Sequence, residues 1–229
     1  MTSTFSYRRV SLTAGVLYLL TFVSVPTLVL YSKVKSADYI LGNGSDTSAL
    51  TGSFLEIVVA LTAIGTAVVL YKVLKKQNET ASIALIAVRV LEATCIFIGV
   101  AIILTIVALK QTGAGSGALA TSNMLGILYD RVFLISQSLL PGINDLLLGF
   151  LLYQSRLVPR ALSVIGLAGG PLLIIGFLAV ISGVIERGSV LAGLSAIGVF
   201  FFELFLGIWL VVKGFDPVEV AKLDKKLGS

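Results

Sequence analysis

Apolar residues in this chain come in long blocks, with few polar interruptions. Six runs, at about 10–32, 52–73, 82–109, 132–154, 161–185 and 189–212, each reach spanning length. An α-helix needs roughly 20 apolar residues to cross a bilayer core. The segments between the runs are short and polar. "KVKSADYILGNGSDTSAL" (33–50) and the Gly/Ser/Thr-rich "KQTGAGSGALATSN" (110–123) read as loops. "KKQNETAS", "RLVPRA" and "ERGS" read as tight connections, and the polar tail predicts a short surface helix after Pro217. No tandem repeat, long linker or soluble domain is visible. The pattern predicts an all-α membrane protein, a six-transmembrane-helix bundle forming one domain over residues 1–229.

Composition supports that reading. The chain is 57% hydrophobic and 13% charged, against about 25% charged residues in a soluble domain. The net charge of +5 is spread over short connections, so it points to membrane topology and not to nucleic acid. A single cysteine, Cys95, excludes an intrachain disulfide, and the lack of histidine removes the commonest ligand for zinc and haem. No cofactor and no metal site is expected. The first run is long enough to span and lacks the cleavage pattern of a signal peptide.

Basic residues predict the orientation. Eleven of the 17 Lys and Arg residues fall on the side of the termini, five on the other, and Arg89 inside a run. The richer side is expected to be cytoplasmic, which places a multi-pass protein in the plasma (inner) membrane with both termini inside the cell. Tyr7, Tyr71, Tyr153 and Trp209 fall near inner span ends, and Tyr31, Tyr39 and Tyr129 near outer ones. Only Tyr18 lies deep within a span.

The third run carries the chemistry that stands out, "AVRVLEATC" at 87–95. Arg89 and Glu92 share a helix face at i, i+3 and can pair there. A charge at the bilayer centre costs about 2.5–3.5 kcal/mol on insertion scales, so inward-facing partners are expected. Counting from the inner span ends at about 1.5 Å per residue brings further unusual residues to one depth. Tyr18, Arg89, Glu92, Asp145, Glu203 and the Gly169–Gly170–Pro171 stretch all fall roughly 11–15 Å in. This predicts a polar layer across the bundle. If all four charged residues ionise, the layer holds two negative charges in excess. Protons, a bound cation or an Arg89 shared between carboxylates would each balance it.

The fourth run, "SQSLLPGIND", adds Gln137, Ser138, Asn144 and Asp145. Pro141 frees a backbone carbonyl, and "AGGP" in the fifth run predicts a second break at the same level. Broken helices around an acidic layer are a common plan for ion or proton sites. Gly52, Gly65, Gly99, Gly193, Gly198 and Gly207 are expected at close helix contacts. Glu56, near the outer end of the second run, is expected to reach the interface. Thr13, Thr21 and Ser24 are expected to satisfy backbone carbonyls within the first helix.

Several chemistries are poorly served. A Ser-His-Asp or Cys-His arrangement is impossible without histidine. "TGAGSGA" lacks the Lys-Ser/Thr ending of a phosphate loop. Asp145 and Glu203 meet the minimum for an aspartyl-type intramembrane hydrolase, but a nearby Arg89 argues against a shared-proton dyad.

The stretch "ILYDRVFLISQSLLPGINDLLLGFLLYQSRLVPRALSVIGLAGG" resembles a bacterial membrane family catalogued as domain of unknown function 4386. The resemblance rests on Tyr153, Ser155, Pro159 and Arg160 at a span end, on Arg89, Glu92 and Ala93 in the third run, and on "GVLYLL" in the first. It covers nearly the whole chain. It implies a six-helix bacterial membrane protein and carries no established activity, so no catalytic residue is transferred.

Three functional readings follow. In the first, the layer of Arg89, Glu92, Asp145, Glu203, Asn144, Tyr18 and Gln137 binds a proton, a cation or a small polar solute in a transporter or channel-like protein. In the second, a structural, sensing or assembly protein closes the same residues into an ion-pair network that fixes helix register. An intramembrane enzyme is the third. A cavity of about 300 Å³ or more at the acids would favour the first. Acids held by Arg89 and sealed by apolar side chains would favour the second. The lipid bilayer is the one partner required by all three.

Overall fold

The computed structural model describes residues 6–226, and among these no strand occurs. Residues 1–5 and 227–229 of the expected 1–229 domain lie outside the described residues. Six helical spans are long and apolar enough to cross a membrane: Tyr7–Val34, Thr47–Leu74, Glu79–Gln111, Gly115–Ser155, Arg160–Ile181 and Val190–Val212.

The first span is two helices, α1 (Tyr7–Thr21) and α2 (Thr27–Val34), joined by a tighter 3₁₀ turn at Phe22–Ser24. Pro26 causes the break, since it has no N–H to donate into the preceding turn. Hydroxyls cover the carbonyls around it. Thr21 donates to Tyr18 O at 2.6 Å, Ser24 to Thr21 O at 3.1 Å and Thr27 to Ser24 O at 2.6 Å. The expected roles of Thr21 and Ser24 are therefore met. The predicted 33–50 loop instead contains a helical turn, α3 (Ala37–Ile40), and the start of the next span.

Helices α4 (Thr47–Leu74) and α5 (Glu79–Gln111) form an antiparallel hairpin. Asn78 caps α5 by accepting from Ala81 N at 3.0 Å. The fourth span begins earlier than residue 132. A 3₁₀ turn at Gly115–Ala118 leads into α6 (Leu119–Leu134), a π-helical turn at Ile135–Leu139, and α7 (Leu140–Ser155). Most of the predicted 110–123 loop is thus helical, and Asp130 and Arg131 lie within a span. Helices α8 (Arg160–Ile181), α9 (Val190–Val212) and the tail helix α10 (Pro217–Lys226) complete the chain. Asp216 caps α10 by accepting from Val218 N at 2.8 Å and Glu219 N at 3.2 Å.

Neighbours in sequence are neighbours in space: α1 packs on α4, α4 on α5, α5 on α6 and α7, α7 on α8 and α8 on α9. Helix α9 then returns to α1 and closes the ring. Tyr7 in α1 donates to Asp224 in α10 and accepts from Lys76 Nζ at 2.6 Å. The two described ends therefore share one face, called here the terminal face. The opposite face, with the α8–α9 turn, is the distal face.

One apolar core fills the terminal half, around Leu70, Leu148, Leu152, Phe202 and Leu206. A second fills the distal half, around Tyr31, Ile103, Ile106 and Tyr129. Outward faces are also apolar, with Val29, Phe54 and Leu191 more than 60% exposed. A surface of that kind is matched to lipid and not to water.

The expected break in the fifth span is absent. Helix α8 runs through Pro171 without interruption. Its glycines serve close packing instead. A Cβ on Gly170 would stand 2.5 Å from Gly142 O in α7, and one on Gly169 would stand 2.7 Å from the backbone of Gly198 in α9. Gly193 is a different case from the other expected packing glycines, because nothing lies within 4 Å of a Cβ placed there.

Candidate functional site

The polar layer exists, and Arg89 organises it. Its Nη1 donates to Glu92 Oε2 at 3.0 Å and Oε1 at 3.3 Å, one turn along α5. Its Nη2 donates across the bundle to Glu203 Oε1 in α9 at 2.8 Å and to Tyr18 Oη in α1 at 3.3 Å. The guanidinium also sits 5.6 Å from the Tyr18 ring centroid. From α7, Asn144 Nδ2 donates to Glu92 Oε2 at 2.5 Å. Three helices therefore meet at one guanidinium and a fourth, α7, joins through Glu92, as the depth estimate implies. The planar fork suits this task because it can hold two carboxylates at once.

Asp145 is adjacent but differently treated. It is 0% exposed, and neither carboxylate oxygen has a hydrogen-bond partner in the protein. Glu203, Arg89 and Glu92 are the charges that act on it. Asn144 Oδ1 and Arg89 Nε are buried without partners as well. A buried polar group left unpaired costs about 1–3 kcal/mol, and more if charged, so this corner of the layer is held against its own desolvation.

Gln137 is not part of the bonded cluster. It lies in the π turn and lines two cavities. The smaller, about 180 Å³, is bounded by Arg89, Glu92 and Glu203 along with Pro141 and Leu173. The larger, about 680 Å³, reaches the α8–α9 turn at Arg187 and Gly188. Ser24, Gln137, Leu173 and Phe200 line both, so the two cavities adjoin between the layer and the α8–α9 turn. On the terminal side the layer meets the Leu70–Leu148–Leu206 core.

Sequence reasoning missed a further buried acid. Glu56 does not reach the interface. It is 4% exposed and lines the larger cavity. Tyr129 donates to its Oε1 at 3.1 Å and Tyr31 to its Oε2 at 3.3 Å. The two tyrosine rings meet edge to face at 5.4 Å. Tyr31, Tyr39 and Tyr129 are all buried and belong to the distal core. One signal was available: Ala49, Gly52, Ser53, Ala60, Ala63 and Ala67 form a buried small-residue stripe on α4, and Glu56 lies on it.

Charges at the distal surface are paired conventionally. Asp130 holds both Lys35, at 2.6 Å, and Arg187. Asp46 accepts from Lys110 at 2.8 Å, Gln111 at 3.0 Å and Tyr39 at 2.8 Å. These donors, Lys110 foremost, pull the Asp46 carboxyl down to about 2. Among the described residues no group of three or more acids or cysteines is gathered as metal ligands.

Fold and site together define a polytopic helical membrane protein with a buried layer of acids around one arginine. The chain belongs to the family described as a domain of unknown function (DUF4386), which it matches over residues 13–214. No curated protein and no solved structure matches it.

Proposed function

We propose that this protein is a small proton- or cation-linked membrane transporter, with the Arg89 layer as its binding site. One observation carries the reading: Arg89, Glu92 and Glu203 line a cavity that adjoins a larger one reaching the α8–α9 turn, while apolar side chains pack on the terminal side. Arg89 is the fixed element, holding two carboxylates in place. Glu203 is the acid on the cavity wall, and Asp145 is the partnerless acid behind it. A proton or cation arriving at Glu203 relieves the excess negative charge that Arg89 alone leaves. Asn144 and Tyr18 orient the layer, and Gln137 stands at the junction of the cavities. Ionisable residues within a span that face a cavity are the usual marks of a proton or ion route. In the same reading the basic residues of the terminal face lie in the cytoplasm and the bundle lies in the plasma (inner) membrane.

Proton and monovalent-cation flux into liposomes containing purified protein tests this. The parent is expected to show flux, and Asp145→Asn and Glu203→Gln are expected to abolish it. No flux from the parent, or the same flux from both variants, removes the proposal.

A second reading has its own support. Arg89 bonds Glu92 and Glu203 simultaneously, which is what a closed register-fixing network requires. In that case Glu203→Gln alters stability while no flux exists to be lost.

A further inference from the structure

We propose that the distal cavity is a separate binding site for an organic monocation with an apolar body, admitted sideways from the bilayer, with Glu56 as its counter-ion. The inference does not rest on transport through the Arg89 layer.

Charge is the first argument. Glu56 is buried, and both its oxygens accept hydrogen bonds from neutral phenols. Among the described residues it forms no ion pair. Arg187, the basic residue on the cavity rim, is engaged by Asp130 and lies 4.6 Å from the Phe133 ring centroid. A buried carboxylate facing a cavity without a cation of its own is complementary to a ligand that brings one.

The walls supply the second argument. Phe133, Leu173, Phe177 and Phe200 line the same cavity, with Gln137 and Ser138 as neutral polar groups. Aromatic and aliphatic walls around one charged group suit a cation whose charge is buried in, or attached to, an apolar skeleton. A small hydrated metal ion would leave those walls unused. At about 680 Å³ the space is in the range of small-molecule sites, about 300–1,000 Å³.

The route is the third argument. Helix α1 packs on both α4 and α9, whereas beyond the Pro26 break α2 packs on α4 and α5. The first span thus leaves α9 in its distal half. Val25, Leu28 and Phe200 line the cavity and are also 53%, 59% and 44% exposed on the apolar outer surface. An opening bordered by lipid-facing side chains admits a solute that partitions into the bilayer.

The test is equilibrium binding of radiolabelled tetraphenylphosphonium to purified full-length protein in detergent, with protein-free micelles as the blank. Saturable binding is expected. Glu56→Gln, which keeps an acceptor for the tyrosines, is expected to weaken it at least about tenfold. Gly193→Phe fills the cavity from α9, where an added side chain meets nothing within 4 Å, and is expected to weaken it to a similar degree. Tetraphenylborate, of the same shape and opposite charge, is expected not to compete. Absence of saturable binding by the folded parent overturns the proposal, as does equal competition by tetraphenylborate. Unchanged affinity in either variant overturns it too, and Gly193→Phe decides alone if Glu56→Gln does not fold.

Discussion

Glu92 and Glu56 are both buried carboxyls on long central helices, yet they are covered in opposite ways. Glu92 takes a guanidinium and an amide from two helices. Glu56 takes only two phenols. The first arrangement contains its own cation and needs no ligand to hold its shape. The second leaves a carboxyl without a cation of its own facing a cavity. Burial alone therefore says little about what an acid does; the charge of what covers it says more.

The largest expected break in this comparison is Arg89→Ala. It strands Glu92 and Glu203 without their cation, which costs about 3–5 kcal/mol. Thermal melting in detergent checks it, and a fall of only a few tenths of a kcal/mol would show that the layer does not depend on Arg89. Next comes Tyr129→Phe, which removes one of the two donors to Glu56. A hydrogen bond to a charged group is worth about 1.5–3 kcal/mol, so the same assay should show an intermediate loss.

Asp145→Asn sharpens the contrast within the layer itself. With no bonded partner to lose, this variant should melt within about 1 kcal/mol of the parent. A larger loss would show that Asp145 has a structural partner. The smallest effect is set by pH at the distal surface. Donors hold Asp46 down to about 2, below its unfolded value, so its contribution is fully present above the ordinary carboxylate range. It is lost as pH falls through about 2, and Asp46→Asn should flatten that part of a melting-temperature profile.

Much of this was readable from the residues alone. Charged side chains inside apolar runs are rare enough to stand out, and helical rise converts their positions into depth. That is why the sequence alone brings Tyr18, Arg89, Glu92, Asp145 and Glu203 to one depth. Glu56 escaped because its position near a span end hides the covering that α2 and α6 give it. That covering depends on where the Pro26 break sends the first span and on room beside α4, where a Cβ on Gly52 would stand 2.5 Å from Tyr31 Cε1. The "AGGP" stretch misleads for a related reason. Glycine next to proline signals either a broken helix or a closely packed one, and only the neighbouring Gly142 and Gly198 decide between them. The early start of the fourth span was hidden by small polar residues that serve loops and membrane helices alike.

The π turn at Ile135–Leu139 has a consequence for these two acids. Leu140 N–H bonds to Ile135 O across five residues, so the span carries one residue more than an unbroken α-helix would. Tyr129, on one side of the turn, faces Glu56; Asn144, on the other, faces Glu92. Deleting a single residue from the turn would rotate one half against the other by about 100° and take one of those side chains off its target. The extra residue acts as a phase shifter: it lets one continuous rod keep time with two sites whose angular settings would otherwise have to agree.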